Sequence, residues 1–172
     1  MVSQVGFGGS CHWCTEAVFQ SLKGVLHVEQ GWISSSERHL SFSEAVIVHF
    51  EPDAIALEVL IAIHLHTHSC TSKHSMRSKY RSAIYTFTDP QAQLSRQALA
   101  NLQHEFRDEI LTQVIPFQNF KLNQKRYLNY YYSNPDKPFC KNIVNPKLRL
   151  LLEQFSSAVD YGRLPAARLL EG

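Results

Sequence analysis

Val2-Ser3-Gln4-Val5-Gly6-Phe7-Gly8-Gly9-Ser10-Cys11-His12-Trp13-Cys14-Thr15-Glu16-Ala17-Val18-Phe19 begins as a strand and ends as a helix. Val2 to Phe7 forms the strand, and Gly8-Gly9-Ser10 closes it. Val18, Phe19 and Leu22 fall at helical spacing, and Lys23-Gly24 stops the helix. Cys11 and Cys14 therefore sit where a strand hands over to a helix. Backbone N–H groups and the helix dipole favour negative charge at such a place. A thiol there ionises more readily, and the thiolate is the nucleophile. Gly8 and Gly9 let the backbone turn sharply and leave the sulfur open.

Outward from this unit, strands and helices alternate. Val25 to Ile33 is a second strand. Ala45 to Phe50, apolar on both faces except His49, is a strand central to a sheet. Asp53 can cap a helix from Ala54 to about Leu65. The stretch from His64 to Lys79 lacks periodicity and reads as a long loop. Ser82 to Phe87 is a strand. Asp89-Pro90 starts a helix whose face carries Leu94, Ala98, Leu102 and Phe106. Ile110 to Phe117 is a strand, Asn123 to about Tyr132 a Tyr-rich helix, and Asn145-Pro146 starts a last helix. This alternation predicts a mixed sheet with helices packed on it.

Composition narrows the function. Of the 172 residues, 44% are hydrophobic and 19% charged, which suits a packed domain. The net charge of +2 argues against a nucleic-acid surface. No run approaches the roughly 18 apolar residues of a membrane span, and the N-terminus shows no secretory pattern, so the cytoplasm is expected. In a reducing compartment, Cys11, Cys14, Cys70 and Cys140 are reactive, metal-binding or buried thiols rather than a disulfide framework.

The cysteine turn and three further blocks resemble the A-type peptide methionine sulfoxide reductases. Gly9-Ser10-Cys11-His12-Trp13-Cys14 with Glu16 is similar to that family's Gly-Cys-Phe-Trp-Gly opening and following Glu. Ser43-Glu44-Ala45-Val46 resembles its His-Ala-Glu-x-Val strand entry. Ser78-Lys79-Tyr80-Arg81-Ser82 resembles its Gly-Thr-Gln-Tyr-Arg-Ser block. Tyr127-Leu128, Asn134-Pro135 and Cys140 resemble its end, where a resolving Cys follows Asn-Pro. The blocks run in order from Val2 to Cys140.

The resemblance implies an α/β (α+β) fold: a two-layer sandwich with a mixed sheet flanked by helices, a ferredoxin-like core and an irregular C-terminal tail. Residues 1–145 would be the reductase-like domain and 146–172 a helical C-terminal extension. The implied reaction is reduction of the S epimer of methionine sulfoxide, free or peptide-bound. Cys11 attacks the sulfur, and Glu44 and Tyr80 act on the oxygen. A carboxyl in an apolar pocket stays protonated near neutral pH and can serve as that acid. Trp13, His12 and Tyr127 would line the substrate site. Cys11 becomes a sulfenic acid that a second thiol converts to a disulfide. Cys140 matches the family's resolving position and would lie in a mobile tail; Cys14 is the alternative through its short spacing. Thioredoxin or another dithiol would restore the enzyme, with no bound cofactor or metal and a monomeric state.

Four departures stand out. His12 replaces a Phe of the methyl-binding wall and makes the pocket more polar. Ser75 stands for an Asp and Gln124 for a His. The loop between Trp32 and Glu44 is short, so a Tyr donor to the sulfoxide oxygen is expected to be absent. Two other functions fit parts of the chain. A thiol–disulfide oxidoreductase or redox sensor needs only Cys11 and Cys14. A metal site could be built from His64, His66, His68, Cys70 and His74, because alternate positions of an extended segment share a face.

Overall fold

The structure is a computed structural model, and it describes residues 1–73 and 75–165. Alternation of apolar side chains along the strands gives the sheet two faces. On β1 (Ser3–Gly8), Val5 and Phe7 point into the main core. On β3 (Ser43–Phe50), Val46, Val48 and Phe50 join them, while Ala45 and Ile47 face the other way. β2 (Val25–Ser34), β4 (Ala83–Thr86), β5 (Gln113–Pro116) and β6 (Asn119–Leu122) complete a six-stranded sheet of order β5-β4-β1-β3-β2-β6. β4 and β5 are parallel, and the other neighbours are antiparallel.

Helices cover the first face: α1 (His12–Gln20), α2 (Leu57–His66) and α5 (Asn145–Gln154) contribute Phe19, Leu60, Ile61 and Leu148 to one core. The Phe7 and Phe19 rings stack 4.8 Å apart, which locks α1 onto β1. The run β1-α1-β2-β3-α2-β4 with central order β4-β1-β3-β2 is the ferredoxin-like arrangement expected. On the second face, Ile33, Ala45, Ile47, Ala83 and Tyr85 are covered by Phe87, Ile115, Phe117 and Phe120. Among the described residues no helix is long and apolar enough to cross a membrane.

Several local expectations need correction. α2 starts at Leu57, not Ala54, because the N–H groups of Ala54 and Ile55 close a turn on the Glu51 carbonyl; Asp53 caps nothing, and Ala56 is the N-cap. α3 (Asp89–Leu102) is capped by Thr88, whose hydroxyl accepts the Gln91 N–H at 3.2 Å. Its buried stripe is Ala92, Ser95, Ala98 and Leu102, and Leu94 is 57% exposed. The Tyr-rich helix is broken. A 3-10 turn at Lys125–Tyr127 is followed by Asn129 in the left-handed region (φ 55°), and α4 covers only Tyr130–Ser133.

The stretch after Asn134-Pro135 is not a loose tail. Cys140–Val144 forms one wide π-helical turn leading into α5. Leu148, Leu151 and Val159 are wholly buried in the main core, and Val159 bridges Leu22. Of the expected extension, residues 166–172 lie outside the described residues.

Candidate active site

Cys11 is the N-cap of α1, with extended backbone (φ −53°, ψ 130°), and its residue is partly exposed. Gly9 makes the turn before it: its φ of 146° suits glycine, and a Cβ there would lie 2.5 Å from the His68 ring. The Cys11 thiol is lowered from its ordinary value, first by a hydrogen bond from the Cys14 thiol and then by the N–H groups of Trp13 and Cys14. Burial and the Glu44 charge oppose the shift. The strand-to-helix turn thus does what the sequence implied, and the neighbouring thiol contributes most.

Glu44 enters the site from β3. Its own N–H donates to the Lys79 carbonyl (2.9 Å), and Ser43 Oγ donates to the same oxygen (2.8 Å) while accepting the Arg81 N–H (2.7 Å). These bonds lace the two motif blocks together. Glu44 is 6% exposed. The expected apolar lining is corrected, however: its oxygens face donors. Oε1 accepts the His12 backbone N–H (3.1 Å) and lies 3.4 Å from His12 Nε2, while Oε2 lies 3.5 Å from Lys79 Nζ.

Lys79, the residue before Tyr80 in its block, has no role that the sequence suggests. Its ammonium sits over the Tyr80 ring (5.1 Å) and is pushed above its ordinary value, first by a hydrogen bond to the Tyr80 hydroxyl and next by the Glu44 charge. Tyr80 is half-buried and joins Glu44 through this lysine. His12 is 4% exposed, with Nδ1 2.8 Å from the Gly31 carbonyl and its ring edge-on to Trp32. Burial lowers its imidazole below the ordinary range.

Trp13 carries the aromatic wall. Its ring stacks on Tyr130 (4.0 Å) and Tyr127 (5.8 Å) and meets Phe139 edge-on (5.5 Å). Sequence reasoning singled out Tyr127 and placed Tyr130 in a packing face; Tyr130 is the nearer partner. Glu16 explains the placement. Buried at 1% exposure, its carboxylate accepts the Asn129 N–H (2.9 Å) and the Tyr130 N–H (3.1 Å). The left-handed Asn129 turns the chain so that both amides reach it.

Of the other thiols, Cys14 is buried and pushed far up by its bond to Cys11, by burial and by the Cys11 charge; Lys147 pulls it back and Cys140 adds to the rise. Cys140 is fully buried rather than held in a mobile tail, and its thiol is raised by burial. Lys147, missed by sequence, donates to the Thr67 carbonyl (2.6 Å) and lines a narrow space with Ser10, Cys14, His64 and His68. Cys70 is buried, and burial raises its thiol to about 11.

The histidine cluster does not share one face. His64 and His66 belong to α2, and among the described histidines of the run His64 and His68 stack (4.1 Å). His64 Nε2 bonds the Gly8 carbonyl and His68 Nε2 the Ser82 hydroxyl, both at 2.8 Å; His66 pairs with Glu105 (2.9 Å). His74 lies outside the described residues. Among those residues no three His, Cys, Asp or Glu side chains converge to hold a metal.

The sequence model of the family described as peptide methionine sulfoxide reductase matches residues 3–159. A peptide methionine sulfoxide reductase MsrA of Pasteurella multocida is 32% identical over 161 residues, covering 86% of this chain and 92% of that protein. The fold is similar to Mxr1 from Saccharomyces cerevisiae in reduced form, with a TM-score of 0.71 at 18% identity over 81% of this chain and 89% of that one. It is also similar to Mxr1 in complex with Trx2, with a TM-score of 0.59 at 17% identity over 73% and 83% of the two chains. With a family match across nearly its whole length and a relative above 30% identity, the chain belongs to the peptide methionine sulfoxide reductase family.

Proposed function

We propose that this chain reduces methionine sulfoxide to methionine, with Cys11 as nucleophile and Glu44 as the acid. The observation that carries the reading is a thiol lowered at a helix N-cap whose next residue donates its amide N–H to a buried carboxyl. A sulfoxide sulfur becomes electrophilic when its oxygen is protonated or strongly hydrogen-bonded. Glu44 supplies the proton, and Tyr80 and Lys79 are the neighbouring donors. The Cys11 thiolate attacks the substrate sulfur; the substrate S–O bond then breaks as a Cys11 S–O bond forms, the transient sulfur–sulfur bond opens, and methionine leaves. Oxygen and proton remain on Cys11 as a sulfenic acid, and Glu44 is left as carboxylate.

A second thiol then attacks the Cys11 sulfur, a sulfur–sulfur bond forms, and the hydroxyl departs as water with the thiol's proton. The hydrogen bond between Cys14 and Cys11 supports Cys14 as the first resolving thiol. We assign the next exchange to Cys140, the residue at the family's resolving position, whose charge adds to the rise of the Cys14 thiol. An external dithiol, thioredoxin by family resemblance, supplies two electrons and restores the thiols; the complex of the related Mxr1 with Trx2 supports this class of donor. Trp13, with Tyr127 and Tyr130, forms the apolar surface for the substrate methyl group. We assign the S epimer as substrate, a monomer as the working unit, the cytoplasm as its place, and no resident cofactor.

Turnover of the separate S and R epimers with a dithiol reductant tests the reading. The S epimer is reduced by the wild type and not by Cys11→Ser. Turnover of R alone, or an active Ser variant, overturns it. Glu44→Gln separates it from simple disulfide exchange: sulfoxide reduction is lost while exchange through Cys11 and Cys14 persists.

A further inference from the structure

Asn123 is held in one orientation from both sides. The Gln124 backbone N–H can only donate, and it reaches Asn123 Oδ1 at 2.8 Å, so Nδ2 faces the other way. Nδ2 donates to Gln30 Oε1 at 2.6 Å, and Gln30 Nε2 donates to the Tyr127 carbonyl at 2.9 Å. That carbonyl can only accept, so Gln30 is fixed too. The remaining contact of Asn123 Nδ2 is His12 Nε2, at 3.4 Å.

The far side of His12 gives the same answer. Nδ1 lies 2.8 Å from the Gly31 carbonyl, again an acceptor only. The imidazole therefore carries its hydrogen on Nδ1 and a lone pair on Nε2. That lone pair lies 3.4 Å from Glu44 Oε1, with both side chains 8% exposed or less. Two lone pairs facing each other in a buried space repel unless a proton lies between them. A proton on Nε2 would point into the N–H donors of Asn123, whereas a proton on Oε1 points at the lone pair that Asn123 also faces.

We propose that Asn123 is a positioning residue that acts through His12 to keep the shared proton on the Glu44 carboxyl rather than on the imidazole. The inference rests on the proposed sulfoxide chemistry, in which Glu44 must hold a proton before each attack. The other charges facing the pair are Lys79, 3.5 Å from Glu44 Oε2, and the Cys11 sulfur, which feels Glu44. Lys79 favours the carboxylate, yet it also opposes a second cation on His12. Burial of the imidazole works in the same direction as Asn123. A Phe at position 12, the residue in the family motif, could not accept this proton, so the device belongs to this chain's own departure.

The test uses histidine ¹⁵N NMR, with the His12 signal assigned by its loss in His12→Phe, beside pH–rate profiles. In the wild type at pH 7, His12 shows the neutral form protonated on Nδ1. Asn123→Asp places an acceptor against Nε2 and turns His12 to imidazolium. It lowers kcat at pH 7 on the order of 10-fold with KM nearly unchanged, and moves the pH–rate profile to lower pH. Asn123→Ser gives a smaller shift in the same direction, should the Asp variant fail to fold. A wild-type His12 protonated on Nε2, or pH profiles unmoved in folded variants, overturns the proposal. A wild type with the expected tautomer but no sulfoxide turnover instead overturns the functional reading.

Discussion

The ammonium of Lys79 stands 3.5 Å from Oε2 of Glu44 and lies over the ring of Tyr80, 5.1 Å from its centroid. One exposed cation thus joins the acid and the phenol that sequence reasoning had treated separately. In the proposed reaction it is the third donor to the sulfoxide oxygen, beside Glu44 and Tyr80. Lys79→Met keeps the stem and removes the charge. We expect kcat/KM for sulfoxide reduction to fall by about 10- to 100-fold, with Lys79→Arg retaining most activity. Because the lysine side chain is 53% exposed, 1 M salt should weaken its effect in the wild type and leave Lys79→Met nearly unchanged. Equal kcat/KM in Lys79→Met and wild type would remove it from the site.

The Cys14 thiol is the largest cause of the lowered Cys11 value. Cys14→Ala removes that donor, so the Cys11 titration moves up toward its ordinary range. Iodoacetamide alkylation of Cys11 at pH 7 should then slow several-fold, because the thiolate is the reacting form. Cys14→Ser, which keeps a hydroxyl donor, should fall between the two. An unchanged pH profile of alkylation in Cys14→Ala contradicts the assignment.

Glu16 holds the aromatic wall in place through two backbone N–H groups. Glu16→Ala leaves both amides without their acceptor in a buried setting. We expect a loss of roughly 2–4 kcal/mol in urea unfolding, with changed Trp13 fluorescence as Tyr130 loosens its 4.0 Å stack. Glu16→Gln keeps one acceptor oxygen and should lose less. Near-wild-type stability and fluorescence in Glu16→Ala would mean that the turn at Asn129 holds itself.

His64 and His68 are buried, and burial lowers both; His68 falls from 6.5 to about 3. In the unfolded chain each binds a proton near its ordinary value, and in the native state neither does. The unfolded state therefore takes up more protons as pH falls, so stability is complete above about pH 6.5 and is lost progressively below it. For each histidine the loss approaches about 1.4 kcal/mol per pH unit inside that window. Urea midpoints between pH 7 and pH 4.5 should show a shallower slope in His68→Gln than in wild type. Parallel slopes would contradict native-state exclusion of the proton.

Much of this was legible because the chemistry is carried by local blocks. Cys11, Trp13, Glu44 and Tyr80 were readable from motif resemblance, and the strand-to-helix turn followed from Gly8, Gly9 and the apolar spacing of α1. The rest depends on pairings between segments far apart in sequence. Glu16 reaches Asn129 and Tyr130, and Asn123 reaches His12; no local pattern announces either bond. Lys147 meets the cysteine turn only because α5 packs on α1. β6 was missed because four residues, Asn119–Leu122, leave too little alternation to read. The histidine run misled because His64 and His66 are helical, which replaces a period of two with one near four.

Single-turnover chemistry without reductant separates attack by Cys11 from any other route to methionine. Protein with its four free thiols is mixed with excess methionine sulfoxide, and released methionine and remaining thiols are counted together. We expect one methionine and two lost thiols per wild-type chain where the peptide map joins Cys11 to Cys14, a second methionine and a third lost thiol where exchange to Cys14–Cys140 frees Cys11 again, and no methionine from Cys11→Ser. Methionine released by Cys11→Ser, or methionine formed by the wild type with all four thiols still free, would contradict the mechanism.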